Sequence, residues 1–145
     1  MKFIFNKICI ASDHAGYRLK EVIKDYLIKN NISVIDLGPE NKKSVDYPDF
    51  ARKVSFRVKT KKSDVGILIC GSGTGMAISA NKIKGIRAAV CYNLKSTRLS
   101  RLHNNANIIS LGSRLTKKRL ALKLVSTFLN TKFEGGRHLR RVKKI

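Results

Sequence analysis

The segment Val65-Gly66-Ile67-Leu68-Ile69-Cys70 is apolar at every position and runs straight into Gly71-Ser72-Gly73-Thr74-Gly75. A strand of that kind is covered on both faces, which is the position of a central strand in a parallel sheet. Such a sheet needs helices on both sides, and the flanking sequence supplies them. Lys7–Ser12 is a second short, mainly apolar run, read as a buried strand. Leu19, Val22, Ile23, Tyr26 and Leu27 then recur at helical spacing until Asn30-Asn31 ends the helix. Residues 32–37 read as a strand stopped by Gly38-Pro39. A polar loop leads through Tyr47-Pro48 to a helix over 49–61, with Phe50, Val54 and Val58 on one face. Beyond the glycine loop the pattern predicts a helix over 76–84, a strand over 86–92, a helix over Leu94–Asn104 and a strand over 107–111 closed by Gly112. A last helix over 116–130 turns Ala121, Leu124, Val125, Phe128 and Leu129 inward, and the basic tail from Phe133 reads as turns. Strand and helix alternate five times. The expectation is an α/β fold: a three-layer αβα sandwich on a five-stranded parallel sheet, Rossmann-like, with right-handed crossovers.

No linker, repeat or low-complexity stretch divides this pattern. The 145 residues, 43% of them hydrophobic, suffice for one core, so a single domain over residues 1–145 is expected. No apolar run reaches the roughly 18 residues of a membrane helix. Met1-Lys2-Phe3-Ile4-Phe5-Asn6 is too short for a signal peptide, and the expected location is cytoplasmic. Cys9, Cys70 and Cys91 are odd in number, widely spaced and part of no CxxC or Cys/His cluster, which argues against a disulfide framework or a zinc site. Charge is the outlying feature: 31 Lys+Arg against 9 Asp+Glu, a formal net of +22. That balance suits an anionic substrate and also raises nucleic-acid binding. The basic residues spread over the whole chain, aromatic residues make up only 7%, and there is no Trp. No nucleic-acid module is recognisable, and specific nucleic-acid binding is not expected.

In open parallel sheets, ligands bind beyond the C-terminal ends of the strands. The first strand ends at Asp13-His14, the third at Cys70 and the glycine loop, and the helix before the fifth at His103-Asn104. A doubly wound fold is expected to bring these segments to one edge. The glycine loop exposes backbone N–H groups and the positive end of the next helix, a cradle for an oxyanion or phosphate. It is not a Walker loop, lacking Gly-Lys-Ser/Thr, and its GxGxG spacing after the third strand is not the dinucleotide fingerprint. A tight strand-to-helix turn would use the same glycines. Cys70, at a helix N-terminus, is either an activated thiol or a core cysteine, whereas Cys9 and Cys91 read as core. Asp13 is a helix cap or an acid/base group, and His103 a helix end or a proton shuttle. Taken singly, these alternatives stay open.

The stretches Ser12-Asp13-His14-Ala15-Gly16, Asp46-Tyr47-Pro48, Cys70-Gly71-Ser72-Gly73-Thr74-Gly75, Ala80-Asn81-Lys82, Gly85-Ile86-Arg87-Ala88, Ser100-Arg101-Leu102-His103-Asn104, Gly112-Ser113-Arg114 and Phe133-Glu134-Gly135-Gly136-Arg137-His138 follow one another over nearly the whole chain. In that order they resemble the ribose-5-phosphate isomerase B family, which also contains the galactose-6-phosphate isomerase subunits. The resemblance implies aldose–ketose isomerisation through a cis-enediolate, with no metal and no cofactor. The implied substrate is the ribose 5-phosphate and ribulose 5-phosphate pair, or alternatively a six-carbon sugar phosphate such as allose or galactose 6-phosphate. Cys70 is implied as the base between C1 and C2. Another branch uses a glutamate just after the third glycine, where this chain has Met76. Backbone N–H groups of Gly71, Gly73, Thr74 and Gly75 would meet the enediolate oxygens, and the Ser72 hydroxyl would help move the proton between them. His103 with Asp13 would open the furanose ring. Tyr47 and Asn104 would line the sugar, and His14, Arg114, Arg137 and Arg141 would hold the phosphate. Family sites lie between subunits, so a homodimer or homotetramer is implied.

Overall fold

Strands and helices alternate in the computed structural model, which describes residues 3–145. The order is β1 (Lys7–Ser12), α1 (Tyr17–Lys29), β2 (Ser33–Asp36), α2 (Tyr47–Lys59), β3 (Val65–Cys70), α3 (Thr74–Asn81), β4 (Ala88–Val90), α4 (Leu94–Asn104), β5 (Ile108–Gly112), α5 (Lys118–Asn130) and α6 (Arg137–Val142). All strand pairs are parallel, in the spatial order β2-β1-β3-β5-β4. The fully apolar β3 is the middle strand and is buried at all six positions. Alternate side chains face opposite sides of the sheet. Ile8, Ile10, Ile67, Ile69, Ile109 and Leu111 pack under α1 and α5, with Ile23, Leu27, Leu124 and Phe128 above them. Cys9, Ala11, Leu68, Cys70 and Ile108 pack under α2 and α3, against Ala51, Val54, Met76 and Ala80. The α/β three-layer expectation stands.

Four local expectations are corrected. The second helix starts at Tyr47, because Pro48 is at home in a first turn where its missing N–H costs nothing. The third starts at Thr74, inside the glycine loop, and ends at Asn81. Strand β4 has three residues where seven were expected, being an edge strand that pairs only with β5. The basic tail forms α6, whose His138 is buried although its basic residues face solvent.

One buried charge was not foreseen. Lys20 is fully buried on α1, and its ammonium donates to both carboxylate oxygens of Asp36, at 2.8 and 2.9 Å, and to the Pro39 carbonyl at 2.8 Å. This ties α1 to the end of β2.

The sheet and α2 come into close contact at Gly66. A Cβ there would overlap Val54 Cγ1 and lie 3.3 Å from Ile108 Cγ1 and Val58 Cγ2. Gly66→Ala is therefore expected to lower stability by about 1–3 kcal/mol through overpacking. Thermal unfolding of the variant checks this, and an unchanged midpoint would mean that α2 can retreat freely.

Candidate active site

The turns after β1, β3 and β5 meet at one edge of the sheet. Cys70 closes β3 and is 5% exposed. Its sulfur accepts a hydrogen bond from the Gly73 N–H at 3.1 Å. Any charge on that sulfur is met by a backbone donor at the start of α3. Gly73 has φ +80°, in the left-handed region that glycine enters without penalty, and this turns the chain back over the sulfur. A Cβ on Gly75 would lie 2.7 Å from the Tyr47 ring, and one on Gly71 would lie 2.9 Å from an Arg114 guanidinium nitrogen. Both side chains thus lie directly on the loop backbone.

Hydrogen bonds from neighbouring elements hold the loop. The Ser113 N–H donates to the Cys70 carbonyl at 2.8 Å, and the Arg114 N–H to that of Gly71 at 3.0 Å. The Ser110 hydroxyl donates to the Gly73 carbonyl, and the Tyr92 hydroxyl to that of Ser72, each at 2.6 Å. The Thr74 N–H reaches the Ser72 hydroxyl at 3.3 Å. A donor set fixed before a substrate arrives need not reorganise as charge develops. Above the loop is a cavity of about 300 Å³, walled by Asp13, Tyr47, Cys70, Ser72, Arg114 and Leu115 together with Gly71 and Gly75. Asp13 is nearly buried and accepts from the Gly16 N–H at 3.0 Å, so it both caps the entry to α1 and lines the cavity. His14, half-buried, accepts from the Val45 N–H at 3.2 Å.

His103, Asn104, Arg137 and Arg141 are elsewhere. A helix between parallel strands runs against them, so its last turn lies where the next strand begins. Asn104 ends α4 four residues before Ile108, and Ile108 pairs with Gly66. Cys70 is four residues further along β3, about 13 Å away at the usual strand rise. His103 and Asn104 therefore stand at the opposite edge of the sheet from Cys70, which corrects the one-edge expectation. Arg87 holds their backbone, its Nε donating to the Asn104 and Asn105 carbonyls at 3.1 and 3.0 Å. Arg137 and Arg141 are exposed on α6, beside this helix end. The His103 ring stacks on that of His138, centroids 4.2 Å apart and planes 15° apart.

The family model described as Ribose/Galactose Isomerase matches residues 8–145. The chain belongs to this family. Ribose-5-phosphate isomerase B of Escherichia coli K12 is 43% identical over 139 residues, covering 96% of this chain and 93% of its own. The structure of Clostridium thermocellum ribose-5-phosphate isomerase B superposes with a TM-score of 0.94 at 54% identity, covering 95% of this chain and 93% of that one. Ribose-5-phosphate isomerase B of Mycoplasma genitalium with bound ribulose-5-phosphate superposes with a TM-score of 0.91 at 46% identity, covering 99% and 95%.

In this ribose/galactose isomerase the structure adds residues that the sequence reading passed over. Tyr92 and Ser110 clamp the loop, and Leu115 walls the cavity. Nothing at sequence level marks them, because their contacts span 20 or more positions. Glu134 and His138 had a signal, since both stand in the Phe133–His138 motif, but no partner was visible for them.

The three thiols differ in surroundings. Burial pushes the Cys9 and Cys91 thiols up from their ordinary value, and both lie within the core. Cys70 alone faces the cavity. The native isomerase is expected to give about one equivalent of thiol to a disulfide reagent at neutral pH and all three after unfolding. Mass spectrometry of the labelled protein should find the tag on Cys70; rapid labelling of Cys9 or Cys91 would contradict the packing.

Proposed function

We propose that this protein interconverts ribose 5-phosphate and ribulose 5-phosphate, with Cys70 as the base. The observation that carries the reading is the Cys70 sulfur at the wall of a 300 Å³ cavity, bonded by the Gly73 N–H within a fixed loop of donors. A ribulose-5-phosphate complex of a family member supports the choice of sugar. The thiolate takes the C2 proton of the open-chain aldose, and the C–H electrons become the C1–C2 double bond as the carbonyl pair moves onto O1. Loop N–H groups of Gly71, Gly73, Thr74 and Gly75 meet the enediolate charge. The Ser72 hydroxyl passes the proton from O2 to O1. The Cys70 thiol returns its proton to C1, which leaves the ketose.

The remaining assignments follow the two clusters. Tyr47, His14 and Arg114 belong to the Cys70 edge, where they hold the sugar and phosphate. His103, Asn104, Arg137 and Arg141 reach a Cys70 edge only in a second copy, so the working unit is a homodimer, alone or within a homotetramer. His103 of one copy then faces Asp13 of the other to open the furanose. Residues 1–145 act as one domain, since both core layers share one sheet. Among the described residues no helix is long and apolar enough to cross a membrane, and a phosphorylated sugar as substrate places the enzyme in the cytoplasm.

The test is turnover of ribose 5-phosphate by purified protein with no added metal or cofactor, beside allose and galactose 6-phosphates. Turnover of the pentose is expected. Preference for a hexose phosphate would move the substrate to six carbons. Folded protein inert on all three, with tight nucleic-acid binding, would overturn the isomerase reading.

A further inference from the structure

Two side chains outside the assigned machinery stand against His103. Its ring is 38% exposed at the last turn of a helix and has no hydrogen-bond partner among the described residues. Left alone, it would turn freely about its side-chain bonds. His138 prevents this by stacking its own ring on it. The His138 side chain is 7% exposed and its Nε2 is a buried nitrogen without a hydrogen-bond partner. Glu134 is anchored by its own N–H to the Leu102 carbonyl, one residue before His103, at 3.1 Å. One oxygen of its carboxylate lies 3.9 Å from Nε2 of both rings. That is too long for a hydrogen bond and well inside the range of charge attraction.

The three ligand atoms lie within 4.8 Å of one another, as a cation site requires. The ring geometry speaks against a ready-made one. Rings stacked 15° from parallel aim their lone pairs side by side, whereas a shared ion lies close to both ring planes. Stacked imidazoles sharing one carboxylate suit a different task. Only one of the two rings can carry a proton at a time without like-charge repulsion across 4.2 Å. Burial lowers the basicity of His138, and His103, Arg137 and Arg141 add to the effect. The ring open to solvent, and so to a substrate, is that of His103, while His138 stays buried behind it.

The geometry points to His138 and Glu134 as positioning residues for His103: the first fixes the plane of its ring, and the second supplies the counter-charge for the imidazolium formed in ring opening. This rests on the ribose 5-phosphate reading above. In that step His103 takes the proton of the C1 hydroxyl, the C1–O4 bond breaks as the C1 carbonyl forms, and the imidazolium so formed gives its proton to O4, which leaves as a hydroxyl. Ribulose 5-phosphate carries its phosphate on the only hydroxyl that could close a five-membered ring, so it needs no such step.

The closing experiment compares His138→Ala, His138→Phe and Glu134→Gln with wild type in two measurements. One is turnover of ribose 5-phosphate. The other is deuterium uptake at C1 of ribulose 5-phosphate in heavy water, which needs Cys70 but no ring opening. Turnover is expected to fall on the order of tenfold to a hundredfold in His138→Ala and Glu134→Gln, within the share of an acid–base group, with uptake within about twofold of wild type. His138→Phe keeps the stacked face and should recover most of the turnover. Undiminished turnover in His138→Ala and Glu134→Gln overturns the inference alone. An equal fall of turnover and uptake also overturns it, by making the cluster a structural support. Wild type inert in both measurements overturns the isomerase reading and this inference with it.

Discussion

Cys70→Ala is expected to lower ribose 5-phosphate turnover by about 10²–10⁴-fold, the usual contribution of a positioned acid–base group. Met76 occupies the position where a glutamate could act, and it is fully buried and apolar. Asp13 is engaged by the Gly16 N–H. The substitution removes one sulfur from a cavity wall, so the fold should survive. Matching circular dichroism and a thermal midpoint within a few degrees would show that. The result is read at saturating substrate, where a pure binding defect would not appear. A variant that kept more than a tenth of wild-type kcat would remove Cys70 from the proton-transfer role while leaving the family assignment intact.

The second large effect concerns subunits. Within one chain, Cys70 and His103 stand at opposite edges of the sheet, so the proposed site draws them from different copies. Cys70→Ala and His103→Ala should each be nearly inert. Mixed, unfolded together and refolded, they should regain activity. A mixed dimer carries one site with both lesions and one with neither, and random pairing makes about half the dimers mixed, so recovery should approach about a quarter of wild type. Recovery of nothing, in a mixture shown by mass spectrometry to contain mixed dimers, would mean that one copy supplies both residues and that His103 swings to its own loop. The regain separates the two arrangements because no site within a single copy can be repaired by mixing.

Surface charge offers no comparable discriminator. The basic residues behind the net charge of +22 are spread along the whole chain, so salt-sensitive attraction to any polyanion is expected whichever reading holds.

Much of the fold was legible because it is written in local periodicity. The apolar run at Val65–Cys70 placed the middle strand, and the spacing of Ala121, Leu124, Val125, Phe128 and Leu129 named the buried face of α5, every one of which is fully buried. The Cys70 loop was legible for the same reason, since a glycine pattern between strand and helix is a local signal. Where the reading slipped, a distant partner decided. The tail became α6 because His138 finds the His103 ring, 35 residues earlier. Strand β4 was cut short because it has a neighbour on one side only.

The sequence by itself determined the class of fold, the Cys70 loop and the family, because apolar periodicity and short motifs act over a few residues. Only the tertiary structure decided which of these residues stand at which edge of the sheet. Helix α4 must run against the strands, and that direction carries His103 and Asn104 away from the edge where β3 delivers Cys70.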